Sequence, residues 1–415
     1  MLFRIRLASV RGRVFLLSCG LVILAVLSVG SIVGTYCFGY EFFPQSAYKF
    51  PVSADGTLAR AMFETHMQKI HRKTHGEDVR AFCSQDSFDK EFIASVEQRY
   101  GNITHGGTGP IFIAANLHNS QKILPNMLLQ LLALADTLGH GRVFISIYEN
   151  GSRDRTKEML RRFDSTLESL GIAHRILTDN TRKPRNMHRI EYLAKVRNLA
   201  LEPLYSSDAK YGRVLFINDI FFCMTDLLEL LFQARAHSAH LTCGEDFDTY
   251  NGGPGFYDTW VTRDMRGKMP KKEMHKMFKD DISMVAQMRD RPFQVQCCWN
   301  GAALIDAQVF RGDDGLRFRR SAKGECSGSE CSLFCNDMWA KGFRRTVMVP
   351  RVKVSYAINA RDMLRTPTFF PADRPFNNPE VEKISFRSDL DKVACKPLNG
   401  INVRNPDGPV EYVKI

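Results

Sequence analysis

One carboxylate interrupts the apolar stretch RVLFINDIFFCMTD at residues 213–226, and this pattern calls for a chemical explanation. Burying an ionised carboxylate without a partner costs a large free energy, so Asp219 needs a cation, a backbone donor or a ligand that brings a metal. Its neighbour Asn218 adds an amide, and Asp246 follows another apolar run in CGEDFD. Because carboxylate oxygens suit Mg²⁺ and Mn²⁺, Asp219 is the best single candidate for a metal ligand or ribose contact, with Asn218 and Asp246 as further cofactor contacts.

A second group of polar residues opens the stretch YENGSRDRT at residues 148–156. Glu149 can accept hydrogen bonds from a base or a ribose, and Gly151 permits a tight turn. Asp154 can cap the helix that follows. A capped turn without any ligand would explain the same pattern.

The second half of the chain supplies candidate contacts to sugars. Trp299 offers an aromatic face that can stack on a sugar ring, and Asn300 can bond its hydroxyls, although Trp299 is equally suited to fill the core. Asp258, Trp260 and Arg263 in YDTWVTRD either bind the donor or acceptor sugar or pin the loop that carries them.

Strands and helices must alternate from residue 110 onward to position these side chains. The hydrophobic periodicity predicts strands over 110–116, 141–150, 173–179 and 213–219, and helices over 120–139, 152–171 and 189–205. This alternation predicts an α/β fold with a mostly parallel, Rossmann-like sheet. Ligands bind such sheets at the carboxyl ends of the strands, where Asn116, Glu149 and Asp219 fall.

The N-terminus predicts a membrane anchor. Residues 14–40 carry no charge and exceed the roughly 20 residues that cross a bilayer, and four arginines precede them. We therefore predict a cytoplasmic tail over 1–13, a signal anchor over 14–40, a stem over 41–108, a catalytic domain over 109–360 and a C-terminal extension over 361–415. A cleaved signal peptide is the alternative reading of residues 14–40.

Composition agrees with an oxidising compartment. Of the eleven cysteines, nine follow residue 40, so at least one thiol stays outside intramolecular disulfides. The cluster Cys326, Cys331 and Cys335 favours disulfides or a buried thiol over zinc. Asn102 in NIT is a candidate glycosylation site. The formal net charge of +12 indicates binding of anionic small molecules or acidic glycans, or simply a solvated basic surface. Nucleic acid is not an expected partner, because a lumenal domain does not encounter it.

The turn at Glu149 resembles the Asp-Asp-Gly-Ser-x-Asp-x-Thr turn of nucleotide-sugar-dependent glycosyltransferases with the GT-A fold. The resemblance implies a GT-A-like fold in which Arg197 faces the donor diphosphate and Glu330 lies near the reacting hydroxyl. It also implies that the sequon at Asn150 stays unmodified, since a glycan there would block the nucleotide.

The metal motif departs from the GT-A pattern. In that fold an Asp-x-Asp motif at a strand end holds Mn²⁺ or Mg²⁺, whereas here Ile220 and Phe221 follow Asp219. The second aspartate is missing, so another strand must complete the site, or Arg197 and Lys195 stabilise the diphosphate without a cation.

Seven motifs in fixed order resemble the fungal α-1,3-mannosyltransferases of glycosyltransferase family 69, which include cryptococcal capsule-associated transferases. These motifs span about residues 110–357 and read SIYENGSRDRT, RIEYLAKVRNLALEPL, VLFINDIFF, YDTWVTRD, CCWNGAALID, RFR and SECSLFCNDMW. The resemblance implies GDP-mannose as donor, a divalent cation, a mannosyl acceptor that reacts at its 3-hydroxyl, and a single-pass type II anchor in the Golgi membrane. A transferase for UDP-sugars and a non-catalytic, glycan-binding scaffold are the alternatives.

Overall fold

The computed structural model describes residues 56–77, 83, 97–207, 210–364, 383–399, 403–404 and 409–415, which all belong to one compact unit, Tyr48–Ile415. The predicted tail and signal anchor lie outside these residues. Within the described ranges, no helix is both long enough and apolar enough to cross a membrane.

A nine-stranded sheet lies at the centre of the described chain, which confirms the α/β class. Its strands are β1 Ile111–Leu117, β2 Val143–Asn150, β3 Ala173–Asp179, β4 Arg213–Ile217, β5 Leu241–Tyr250, β6 Gly253–Phe256, β7 Phe293–Gln294, β8 Ala302–Asp306 and β9 Thr346–Ser355. The order is β3-β2-β1-β4-β8-β5-β9-β7, with β6 paired to β5. Strands β1 to β5 and β9 point the same way, while β6, β7 and β8 run antiparallel to their neighbours.

Eight α-helices accompany the sheet within the described residues. They are α1 Gly56–His75, α2 Leu124–Leu138, α3 Thr156–Ser169, α4 Arg189–Tyr205, α5 Met224–Ala236, α6 Asp281–Met288, α7 Glu330–Ala340 and α8 Ile358–Leu364. Shorter helical turns cover Ile103–Gly107, His140–Arg142, Met274–Lys276 and Ala307–Phe310. The bounds of β3 and α4 match the sequence prediction, and β5 extends through the acidic stretch CGEDFD.

The sheet has a hydrophobic core on each face because successive side chains of a strand point in opposite directions. In β1, Ile111 and Ile113 join the core formed with α1, α2, α3 and α5. Phe112 and Ala114 join the core formed with α4 and α7. Strands buried on both faces read as continuous apolar runs, which explains the sequence of β1.

Helix α1, which lies in the predicted stem, contributes to the core of the sheet. Its Phe63 and Met67 are buried, and Phe63 contacts Phe163 of α3 with ring centroids 5.6 Å apart. The hydrophobic core therefore begins well before residue 109.

The C-terminal extension returns to the domain and is held there covalently. Strand β10, Lys392–Cys395, pairs with β13, Glu411–Lys414, and a second hairpin joins β11 Leu398–Asn399 to β12 Val403–Arg404. The disulfides are Cys83–Cys223, Cys243–Cys298, Cys297–Cys335 and Cys326–Cys395. Cys331 is the remaining buried thiol among the described cysteines, as the odd count predicts, and Cys326 and Cys335 of the predicted cluster both form disulfides.

A buried charge network joins α5 to the segment before β1. Glu229 accepts two hydrogen bonds from Arg99, both at 2.7 Å, and one from the Tyr100 hydroxyl at 2.8 Å. Gln233 donates a further bond at 2.8 Å. Because the Arg99 and Glu229 side chains are only 7% and 4% exposed, solvent screens this pair weakly.

We expect Glu229→Gln to lower the free energy of unfolding by about 3 kcal/mol, because breaking a buried ion pair leaves a charge that burial penalises. The matched control is Glu202→Gln, which removes the Arg175–Glu202 pair where the glutamate side chain is 53% exposed. The control should cost less than about 1 kcal/mol. Urea denaturation of both variants measures the difference, and equal losses would contradict the prediction.

Candidate active site

The neighbouring parallel strands β1, β2 and β4 end at one edge of the sheet. Asn116 lies in β1 opposite Tyr148, next to Glu149 in β2. Asn218 and Asp219 follow directly after β4, which pairs with the other side of β1. The structure therefore brings these predicted ligand residues to the same edge, as expected for a parallel sheet.

Two polar atoms at this edge have no hydrogen-bond partner among the described residues. They are Asn116 Oδ1 and Glu149 Oε2, and Glu149 is fully buried. The other carboxylate oxygen of Glu149 accepts from the Ser152 N–H at 2.6 Å, while Lys157 Nζ lies 3.7 Å from Oε2. A buried acceptor without a donor is costly, so these atoms suit a ligand that donates hydrogen bonds.

The turn after β2 depends on Gly151, which adopts a left-handed φ of 66°. Its N–H donates to the carbonyl of Asp179 at 2.8 Å, which ties the end of β2 to the end of β3. A Cβ at this position would meet Thr181 O at 3.0 Å and Arg182 Cγ at 2.9 Å. Both the backbone conformation and the close approach therefore require glycine.

The two sequons differ in accessibility. Asn102 is exposed, whereas Asn150 at the end of β2 is 7% exposed. Glycosylation of Asn102 and its absence at Asn150 stay predictions.

Arg197 of α4 lies at the centre of a polar cluster. Its Nε donates to Glu330 Oε1 at 2.9 Å, and its Nη1 donates to Asn218 Oδ1 at 3.2 Å. The guanidinium carbon lies 4.8 Å from the ring centroid of Phe216 and 4.9 Å from that of Trp299. Aromatic faces attract a cation, so the charge is held in one orientation beside the end of β4.

The predicted sugar contacts Trp299 and Asn300 both lie inside the protein. Trp299 is 1% exposed, and its ring packs edge-on against Phe318. Asn300 accepts from the Thr262 hydroxyl at 2.8 Å and donates to Gly244 O at 2.6 Å. In this structure both side chains therefore support the walls of the site, and their contact with a sugar stays a prediction.

Asp219 is partly buried beside this cluster. Burial raises the pKa of its carboxyl, while the positive charge of Arg197 acts in the opposite direction. The carboxylate that interrupts the apolar run is thus placed in a positive field at the edge of the sheet. A bound cation would favour its ionised form further.

An acidic pair, Asp246 and Asp258, lies in β5 and in the loop after β6. Asp246 Oδ1 accepts from the Asp258 N–H at 3.1 Å, and its Oδ2 has no hydrogen-bond partner within the described ranges. Burial, with the neighbouring charge of Asp258, raises the pKa of Asp246 well above its usual value. Asp258 accepts from the Asn300 N–H at 3.2 Å. The nearby positive charge of Arg263 acts on Asp258, and a bound cation would favour the ionised forms of both carboxylates.

Tyr356 connects the two halves of the site, and the sequence analysis missed it. Its hydroxyl accepts from Asn218 Nδ2 at 3.0 Å. Burial and the charges of Asp246 and Asp258 raise the pKa of this phenol well above its usual value. Tyr356 directly follows β9. Because ligands bind such sheets at the carboxyl ends of the strands, its position after a strand was the signal that could have identified it.

Trp260 and Arg263 instead bind the C-terminal extension. Trp260 Nε1 donates to Lys396 O at 2.8 Å. Arg263 donates to Ala394 O and, at 2.7 Å, to Thr262 O, and burial lowers its pKa to about 10. These bonds correspond to the alternative in which the two residues pin their loop.

The described carboxylates do not make a complete metal site. Within the described part of the chain, no group of three or more His, Cys, Asp or Glu side chains could hold a metal ion. Mg²⁺ is often held by one or two carboxylates together with substrate phosphates. Asp219 and the Oδ2 atom of Asp246, which has no hydrogen-bond partner among the described residues, are the carboxylate groups available for such a role.

A family model described as cryptococcal mannosyltransferase 1 matches residues 110–337, more than half of the chain. The chain belongs to this family. The matched region contains the strand ends at Asn116, Glu149 and Asp219, as well as Arg197 and Glu330.

One curated relative has a described activity. It is the alpha-1,3-mannosyltransferase CMT1 of Cryptococcus neoformans var. neoformans serotype D, which is 29% identical over 295 residues. The match covers 65% of this family member and 62% of the relative.

Solved structures show weaker likeness. The mannosyltransferase PcManGT from Pyrobaculum calidifontis, in complex with GDP-Man and Mn²⁺, matches with a TM-score of 0.36 and 11% identity over 67% of this chain and 68% of that chain. S. aureus TarS 1–349 matches with a TM-score of 0.35 and 14% identity over 59% of this chain and 60% of that chain. These scores are too low to establish a shared fold.

We expect Gly151→Ala to destabilise the protein more than Gly312→Ala does. Both glycines have left-handed φ values, 66° and 73°, but a Cβ on Gly312 would meet nothing within 4 Å. The control measures the conformational cost alone, about 1–2 kcal/mol. The additional clash at Gly151 should lower the free energy of unfolding by at least about 1 kcal/mol more. Urea denaturation tests this, and equal losses would show that the turn relaxes freely.

Proposed function

We propose that this chain is a glycosyltransferase that transfers mannose from GDP-mannose to the 3-hydroxyl of a mannosyl acceptor. The observation that carries the proposal is the family match, because its residues include the ones that meet at the carboxyl edge of the sheet. The activity of the relative from Cryptococcus, an alpha-1,3-mannosyltransferase, supports mannose as the sugar and an α-1,3 linkage as the product.

The catalytic domain is a GT-A-type domain in this proposal. Parallel strands in the order β3-β2-β1-β4, followed by the antiparallel β8, support it. Glu149 then contacts the nucleoside, and Asn116 lies beside it on the next strand. Their unpartnered oxygens suit the N–H and O–H donors of a base and a ribose.

A divalent cation, Mn²⁺ or Mg²⁺, completes the donor site in this proposal. Asp219 would hold it, with Asp246 as the second carboxylate from another strand. When bound, the cation neutralises charge on the diphosphate as the sugar departs. Arg197 provides a second positive charge, which Glu330 and Asn218 hold in place.

The pairing of Glu330 favours one stereochemical course. If mannose leaves an α-linked donor and forms an α-mannoside, the configuration at its anomeric carbon is retained. In that reaction the departing phosphate can take the proton from the 3-hydroxyl of the acceptor sugar. An inverting reaction would instead need a carboxylate base such as Glu330. Since Glu330 accepts from Arg197 and, at 3.2 Å, from the Ser329 hydroxyl, we propose that it positions Arg197 in a retaining enzyme.

We also propose that the protein is a single-pass type II protein of the Golgi membrane with a lumenal catalytic domain, acting in fungal glycan or capsule polysaccharide synthesis. The uncharged residues 14–40 after a basic tail support the anchor. Four disulfides among the described cysteines and the exposed sequon at Asn102 support a secretory compartment.

A non-catalytic, glycan-binding protein of the same fold is the second candidate. The missing second aspartate after Asp219, together with the lack of a three-ligand group in the described chain, favours this alternative. A transferase for a UDP-sugar is the third.

We expect Asp219→Asn to lower the kcat of mannose transfer by at least on the order of 100-fold, because cation binding contributes several kcal/mol of transition-state stabilisation. Removing the divalent cation with a chelator should reduce the wild-type rate similarly. The control is Asp248→Asn, since among the described residues Asp248 accepts hydrogen bonds only from Thr249, from its N–H at 2.7 Å and its hydroxyl at 3.3 Å. Transfer from GDP-mannose to a mannobiose acceptor provides the assay.

Calorimetry separates the three candidates. The full-length chain should bind GDP-mannose and GDP, but not UDP-galactose, and only with Mn²⁺ or Mg²⁺. Binding of UDP-galactose alone would favour the UDP-sugar transferase. Binding of no nucleotide would favour the glycan-binding protein.

A further inference from the structure

A cavity of about 440 Å³ lies on the outer face of α7, away from Arg197. Its walls are the outer face of α7, the loop over residues 324–328, and the β10–β13 hairpin of the C-terminal extension. The volume falls in the range of about 300–1,000 Å³ that is typical of small-molecule sites. The proposed donor site uses none of these elements except α7.

The cavity is held open by a rigid frame. The Cys326–Cys395 disulfide joins the loop to β10, and the hydrogen bond from Trp260 to Lys396 O holds the hairpin at the other side. Arg263 donates to Ala394 O of the same strand. A preformed cavity spares a ligand the entropy of ordering its site.

The ion pairs in the cavity wall are satisfied within the protein. Arg319 binds both carboxylate oxygens of Asp337 at 2.8 Å. It also binds those of Glu325 at 2.6 and 2.9 Å. Because one guanidinium faces two carboxylates, this cluster offers no surplus positive charge to an anionic ligand. Arg263, Lys396 and Lys414 also line the cavity.

Uncharged hydrogen-bonding groups in the wall are left unsatisfied. Gln296 is 1% exposed, and its Nε2 donates to Asn336 Oδ1 at 3.1 Å. Its Oε1, like Ser332 Oγ, has no hydrogen-bond partner among the described residues. An amide oxygen can only accept, so it requires an O–H or N–H donor. An aromatic ring, Trp260, lines the same cavity.

We propose that this cavity binds a neutral hexose unit of the acceptor glycan, with sugar hydroxyls donating to Gln296 Oε1 and bonding Ser332 Oγ. The proposal rests on the proposed glycosyltransferase function for the identity of the glycan. Glu330 begins the same helix that carries Ser332 and Asn336, so an acceptor held here lies across one helix from Arg197. The C-terminal extension thereby forms part of the acceptor site.

Two variants of the full-length chain test this assignment. Gln296→Met removes the amide at nearly constant volume, and Ser332→Phe fills the cavity from the partly exposed face of α7. Losing one buried hydrogen bond should raise the KM for α-1,3-linked mannobiose about 10-fold in Gln296→Met. Ser332→Phe should abolish mannobiose binding as followed by ligand-observed NMR. The KM for GDP-mannose and its slow hydrolysis without acceptor should stay within about twofold of wild type, since the variants leave the donor site intact.

Gln287→Met is the matched control. Gln287 on α6 is also buried, and its Oε1 likewise lacks a partner in the described structure, but it does not line this cavity. Its variant should bind mannobiose like the wild type.

The possible results test the proposed sugar site separately from the proposed transfer reaction. Equal mannobiose affinity in the wild type and both cavity variants would overturn the proposal, as would tighter binding of mannose 6-phosphate than of mannobiose. Wild-type protein that transfers mannose without binding mannobiose in the cavity would also overturn it. Wild-type protein that fails to bind GDP-mannose, yet binds mannobiose in a Gln296-dependent way, would overturn the proposed reaction and support the sugar site.

Discussion

The ion pair between Arg197 and Glu330 is the interaction on which the site depends. It joins α4 to α7 across the face of the sheet, and Asn218 ties the same guanidinium to the end of β4. A buried guanidinium needs compensation for its lost hydration, and a carboxylate, an amide and two aromatic faces provide it. The positive charge is therefore held in place by the protein itself, without a ligand.

The other side of the site carries carboxylates in place of the positive charge of Arg197. Asp246 and Asp258 are adjacent, and burial opposes the ionisation of Asp246. Tyr356 lies between these acids and Asn218. The charges of Asp246 and Asp258 therefore act on the same hydroxyl that accepts a hydrogen bond from Asn218. The charge of Arg263 acts on Asp258 from within the protein, and a bound cation would further favour the ionised forms of both carboxylates.

The C-terminal extension links the site to the opposite face of α7. It binds Trp260 and Arg263, whose loop also carries Asp258, and it is anchored by a disulfide to the segment before Glu330. The extension therefore supports the loop on one side and shapes the cavity on the other. Loss of this contact would leave the buried guanidinium of Arg263 with fewer acceptors.

The sequence by itself determined the α/β class, the strands and helices over residues 110–219 to within a few residues, the convergence of Asn116, Glu149 and Asp219, and the odd cysteine. These features follow from local periodicity and from the rule that parallel strands end at one edge. The tertiary structure decided that Glu330 pairs with Arg197, that Trp299 is a wall of the core, and that Trp260 and Arg263 bind the extension. Such contacts join residues up to 136 positions apart, and the path of the chain rather than any local pattern brings them together.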